Sequence, residues 1–131
     1  MLVVDASVAL RACGAGGSFE ELGDPELVAP SLMWSEARSS LHEALWRGDV
    51  SGEDAERTRE HLESCPAERV DHDQLGDEAW RIAEELGWAK TYDAEYLALA
   101  RLLSCRMVTT DGRLRRGADR LGIVISPTEL E

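Results

Sequence analysis

Leu2-Val3-Val4-Asp5-Ala6-Ser7-Val8 is the stretch on which the fold turns. Three apolar, largely β-branched residues read as a short buried strand, Asp5 closes it, and the chain continues from Val8 in a helix-compatible run. An apolar strand that runs straight into a helix belongs to a parallel sheet covered by crossover helices.

The same grammar recurs outward along the chain. Met107-Val108-Thr109 reads as a strand, followed by Asp111-Gly112, a helix over 112–121 and a last strand over 123–125. Between these ends, Leu27-Val28-Ala29 is a strand stopped by Pro30. A helix over 30–47 carries Met33, Ala37, Leu41, Ala44 and Leu45 on one stripe, with Pro30 and Ser31 suited to its start and Gly48 to its end. A charge-rich helix over 51–64, a short strand candidate over 67–70 and a helix over 74–86 come next. Thr91 is placed to cap a helix to about 104, with Tyr92, Tyr96, Leu99, Ala100 and Leu103 inward. The expected fold is α/β: a parallel sheet of four to five strands with helices on both faces, in a single domain spanning 1–131.

Composition narrows the function. The chain has 131 residues, 44% of them hydrophobic, enough to build a core without disulfide or metal staples. No apolar run is long enough to span a bilayer, and an acid at position 5 breaks the run a signal peptide needs, so no membrane association and a cytoplasmic location are expected. Cys13, Cys65 and Cys105 are odd in number and widely spaced, which fits reduced thiols, and His42, His61 and His72 lack the spacing of a zinc site. Against 14 basic residues stand 26 acidic ones, a net charge of −12. That balance excludes a protein that holds nucleic acid by bulk charge alone. Arg106, Arg113, Arg115, Arg116 and Arg120 nevertheless fall in one stretch, either a local basic strip or a solvated helix face.

The acids themselves carry the chemistry. Asp5 and Asp111 each follow a strand, and ligands of open parallel sheets gather beyond the carboxyl ends of strands. Each also has an ordinary role, Asp5 as a helix cap and Asp111-Gly112 as a turn. Glu36 and Asp93 fall on the apolar stripes of their helices, Glu36 three residues after Met33 and Asp93 four before Leu97. A carboxylate on a buried stripe needs a compensating partner or takes up a proton. If the four converge, a cation relieves their repulsion, and an all-oxygen set suits Mg²⁺ or Mn²⁺ and phosphodiester hydrolysis with one or two ions.

At this point the chain resembles a PIN domain, and specifically the VapC-type toxins of toxin–antitoxin pairs. The resemblance covers essentially the whole length. It rests on Val4-Asp5-Ala6-Ser7-Val8, on Pro30 with Glu36 and Leu41, on Tyr92-Asp93-Ala94 with Tyr96-Leu97-Ala98-Leu99-Ala100, and on Val108-Thr109-Thr110-Asp111 with Arg113-Leu114. It implies a metal-dependent endoribonuclease with Asp5, Glu36, Asp93 and Asp111 as catalytic, metal-binding acids, and Ser7 and Thr109 as hydroxyls behind them or on phosphate. It also implies a homodimer and a cognate antitoxin that wraps a groove near the site. Arg113, Arg115 and Arg116 are candidate RNA contacts. Two positions depart from the pattern: Ser39 stands where relatives often carry Asn, and no further acid follows Asp111 at Gly112, Arg113 or Leu114.

Other nucleotide chemistries fail on residues. A dehalogenase-type phosphatase needs a second acid where Ser7 stands, a receiver domain needs a late lysine whereas the only lysine is Lys90, and no phosphate-binding glycine loop exists. The alternative of another class is a catalytically silent PIN-like module that binds RNA or protein. Trp34, Trp46, Trp80 and Trp88 read mainly as core, although Trp34 and Trp46 lie off the Met33 stripe and are candidates to line a dimer or antitoxin groove.

Overall fold

A computed structural model describes residues 1–23 and 25–130. Five strands form one parallel sheet in the order β3-β2-β1-β4-β5. The strands are β1 (Leu2–Val4), β2 (Leu27–Ala29), β3 (Glu68–Arg69), β4 (Arg106–Val108) and β5 (Val124–Ile125). The helices are α1 (Ala6–Cys13), α2 (Leu32–Arg47), α3 (Gly52–Glu63), α4 (Leu75–Leu86), α5 (Tyr92–Leu102) and α6 (Gly112–Gly117).

β1 lies at the centre because its residues are the least tolerant of water: Val3 and Val4 are fully buried, in register with Val28 on one side and with Met107 and Val108 on the other. The chain winds from β1 out to β3, then crosses back through α4 and α5 to β4 and winds the other way to β5. Right-handed crossovers in two opposite directions put helices on opposite faces. α1 packs with α2 and α3, whereas α5 packs on β1, β4 and α4. Between β1 and β4 the winding reverses, which opens a crevice at their carboxyl ends.

Local chemistry sets the element ends. Gly48 and Gly87 take left-handed backbone (φ 81° and 72°) and close α2 and α4. The α4–α5 pair is pinned by Arg101, which bonds Glu78 at 2.7 Å and Glu85 at 3.2 Å.

Several expectations shift. α2 starts at Leu32, and Ser31 makes no capping bond because its hydroxyl donates to Asp71. Thr91 does not cap α5 with its side chain, and Tyr92, the first residue of α5, is exposed and not inward. The helix expected over 112–121 stops at Gly117, and a separate 3₁₀ turn covers Asp119–Leu121. Trp34 is core, 5% exposed, with Arg69 over its ring, so it lines no groove; Trp46 is 85% exposed. The three cysteines are free thiols, and His61 bonds the Cys13 carbonyl between helices. No helix among the described residues is long and apolar enough to cross a membrane.

Candidate active site

The crevice is built from its buried end upward. Asp5 ends β1, buried, and caps α1: its Oδ1 accepts the Val8 amide at 3.0 Å and the Ser7 hydroxyl at 2.6 Å. The Thr109 hydroxyl donates to its Oδ2 at 2.5 Å. Thr109 belongs to the end of β4, and its Oγ1 in turn accepts the Asp111 amide at 3.0 Å, while Ser7 Oγ accepts the Thr110 amide at 3.1 Å. One polar network thus ties the ends of β1 and β4 together, and the two hydroxyls hold the carboxylate whatever else binds there.

Asp111 caps α6, and both of its recorded bonds, from the Arg113 and Leu114 amides, fall on Oδ1. Its ordinary role and a functional one are therefore compatible, as they are for Asp5. Glu36 enters from α2, half-buried, and Oε1 accepts the Tyr96 hydroxyl at 2.5 Å. Asp93 enters from the first turn of α5. Its residue is exposed, so it sits at the rim of the apolar stripe and not on it.

Burial pushes the Asp5 carboxyl above its ordinary value, opposed by the bonds from Ser7, Thr109 and Val8 and reinforced by the Asp111 charge. Desolvation likewise raises Glu36, against the Tyr96 bond and with added repulsion from Asp93, Asp5 and Glu95. Asp93 is raised by desolvation and by Asp111, with Arg113 opposing. Tyr96 is held far above the usual phenol range by burial and by the same acids, so it stays a donor. Each acid thus feels at least one of the others. Arg113 is the only cation among these influences.

Such a set, oxygen donors only and mutually repelling, fits a hard divalent cation. Among the described residues no three acids, histidines or cysteines close on one point as a finished cage does. Three of the acids, Glu36, Asp93 and Asp111, line a cleft of about 630 Å³ together with Arg113, Trp88 and Lys90, among others, while Asp5 lies buried behind that lining.

Of the expected RNA contacts, Arg113 lines this cleft, whereas Arg115 is committed elsewhere, to Asp119 at 2.7 Å and Glu129 at 2.9 Å. Arg116 lies over Gly112, where a Cβ would meet its Nη1 at 3.1 Å. Sequence reading took Tyr96 and Trp88 as core and gave Lys90 no role at the site. A signal for Tyr96 existed: it falls three residues after Asp93, on the neighbouring face of one helix, and a buried tyrosine hydroxyl requires a partner.

The acids gather where a small open parallel sheet reverses its winding, the usual place for a ligand in an open α/β fold. The PIN domain family matches residues 2–120, and the chain belongs to that family. It is 36% identical over 115 residues to Ribonuclease VapC9 of Mycobacterium tuberculosis, covering 87% of this chain and 88% of that protein. Its fold is similar to that of PAE2754 from Pyrobaculum aerophilum, with a TM-score of 0.76 and 24% identity over 98% of this chain and 92% of the other. A toxin–antitoxin complex from Klebsiella pneumoniae matches with a TM-score of 0.69 and 16% identity, over 97% and 98% of the two chains.

Proposed function

We propose that this chain is the toxin of a toxin–antitoxin pair, a metal-dependent endoribonuclease that hydrolyses RNA phosphodiester bonds at the cleft. The observation that carries the reading is that Glu36, Asp93 and Asp111 line one cleft at the carboxyl ends of β1 and β4, where Asp5 follows β1. The chain is also 36% identical to a ribonuclease over most of its length.

Those four residues would hold Mg²⁺ or Mn²⁺. When bound, the ion supplies charge neutralisation of the phosphate and a water of lowered pKa. The protein's own residues do the rest. Ser7 and Thr109 fix the orientation of Asp5 and favour its ionised form. Tyr96 aims Glu36. Lys90 and Arg113 put positive charge at the cleft on a chain whose net charge of −12 otherwise repels RNA.

The partners on this reading are a cognate antitoxin and a second copy of the chain, acting in the cytoplasm. Apolar surface for a partner exists away from the acids: Leu41, Leu45 and Ala55 line a groove between α2 and α3, and Trp46 stands exposed on α2.

A silent module that binds RNA or protein is the second reading, favoured by acids that ring the cleft without closing on one point. Single-turnover digestion of RNA separates the two. The ribonuclease reading expects cleavage abolished by EDTA and restored by Mg²⁺ or Mn²⁺; activity undiminished in excess chelator removes the metal mechanism, and RNA left intact in Mn²⁺ leaves the silent module.

A further inference from the structure

The cleft has a wall that the carboxylate chemistry leaves unused. Trp88 follows Gly87 out of α4, its amide bonded to the Ala83 carbonyl at 2.8 Å, and turns its indole toward α6. The ring lies so close to Gly117 that a Cβ there would meet Cζ2 at 3.3 Å. Arg120 reinforces this corner by donating to the Glu85 carbonyl near the end of α4. Trp88 is therefore held against α6, yet it is only partly buried and lines the same cleft as Glu36, Asp93 and Asp111. Tyr92, 56% exposed, lines it too. Lys90, the single lysine of the chain, and Arg113 are the cations of that lining.

A fixed aromatic ring with cations beside it fits a single nucleotide of an unpaired strand. The base stacks on the ring and its phosphate meets the ammonium or guanidinium. The cleft volume of about 630 Å³ is in the range of pockets that take such a ligand. A partner's side chain would use the acids and leave both cations facing like charge.

We propose that Trp88, with Tyr92 in the same lining, is a stacking subsite for one nucleobase of a single-stranded RNA in the cleft, and that Lys90 and Arg113 hold the flanking phosphate. The inference rests on the cleft being an RNA site, not on its cutting. It makes Trp88 a binding residue that accepts any base with a π-face and loses its contact where the base is missing.

The test is fluorescence anisotropy of labelled single-stranded oligoribonucleotides of about 12 nucleotides in Ca²⁺ buffer, with each nucleotide in turn made abasic. For the unmodified protein, one abasic position is expected to weaken binding about tenfold, the size of one base stacked on one ring. Trp88→Ala is expected to bind the intact strand about tenfold more weakly and to be indifferent to that abasic position; Trp88→Phe, which keeps a ring, recovers most of the affinity. If no abasic position weakens the unmodified protein, the subsite does not exist, and that result needs no variant to fold. A Trp88→Ala protein that keeps its full sensitivity to the abasic position, or that loses antitoxin affinity while binding RNA normally, also overturns it. Ring-dependent binding by a chain that cuts nothing in Mn²⁺ supports the subsite and overturns the ribonuclease reading alone.

Discussion

The Tyr96 hydroxyl donates a 2.5 Å hydrogen bond to Oε1 of Glu36, joining α5 to α2 across a separation of 60 residues. Tyr96 is 1% exposed, so its ring cannot leave, and the bond fixes a half-buried carboxylate on the side that faces Asp5 and Asp93. Tyr96 is thus a positioning residue for the candidate metal site. Tyr96→Phe is expected to weaken Mn²⁺ affinity by about 10- to 100-fold, as loss of a partner behind a ligand does, while lowering stability by only about 1–2 kcal/mol. Calorimetric titration of Mn²⁺ beside a thermal melt checks it. Unchanged affinity with lost stability would make the bond purely structural.

Asp5 and Asp93 part company when neutralised. Asp5 accepts three bonds, two of them from hydroxyls, whereas no hydrogen bond is recorded to the Asp93 side chain. Asp93→Asn therefore removes a charge disfavoured by desolvation and by Asp111, and is expected to raise the melting temperature in metal-free buffer. Asp5→Asn gains less, because its new amide must donate toward Thr109 and turn that hydroxyl around. Both are expected to lose cleavage. A marked loss of stability in Asp93→Asn would sink the account of repulsion.

Acidity works in two directions in this fold. Asp5, Glu36 and Asp93 bind protons more tightly folded than unfolded. In metal-free buffer their charged forms subtract stability above their raised folded values, and this penalty fades as pH falls toward the ordinary carboxylate range. Glu78 is the opposite case: Arg101 holds its carboxyl below the ordinary 4.5, so its contribution is present above that value and is lost as pH falls through the folded one. The melting temperature without metal is expected to rise as pH falls from neutral toward the ordinary carboxylate range and to fall again below that range. Saturating Mn²⁺ should erase the rise, since the cation then relieves the same repulsion. A flat metal-free profile from neutral pH down to the ordinary carboxylate range would contradict this.

The pin between α4 and α5 is separable from the chemistry. Glu78→Ala breaks the bonds to Arg101 and Arg81, both at 2.7 Å, and leaves a mostly buried position without its carboxylate. Because Arg81 is largely exposed and Arg101 partly so, the loss is expected to be about 1–2 kcal/mol by denaturant titration, with Mn²⁺ affinity unchanged. Altered metal affinity would mean that this pin also shapes the cleft.

An antitoxin that inhibits by placing Arg or Lys among Asp5, Glu36, Asp93 and Asp111 competes with the cation for the same oxygens. Its dissociation constant is then expected to rise with Mg²⁺ at fixed ionic strength, by linkage. A constant that does not move leaves an antitoxin that only covers the RNA path.

Local sequence decided the strands and singled out the four acids as candidates. Val3 and Val4 leave no choice but a strand buried on both faces, and Asp5 and Asp111 come after strands because the apolar runs stop there. Glu36 was legible as an acid too close to Met33 to be solvated. Periodicity carries no information about which side chain of another helix lies opposite, and that is why Tyr96 read only as core and Trp88 as one more helical aromatic. Those roles were settled by tertiary packing: the return of α5 beneath β1 brings the Tyr96 hydroxyl to Glu36, and the approach of α6 to the end of α4 holds Trp88 against Gly117 in the cleft. The residue-level limits of the stripes were tertiary as well. Asp93 and Tyr92 are exposed on the first turn of α5, a boundary that the spacing of apolar residues does not mark.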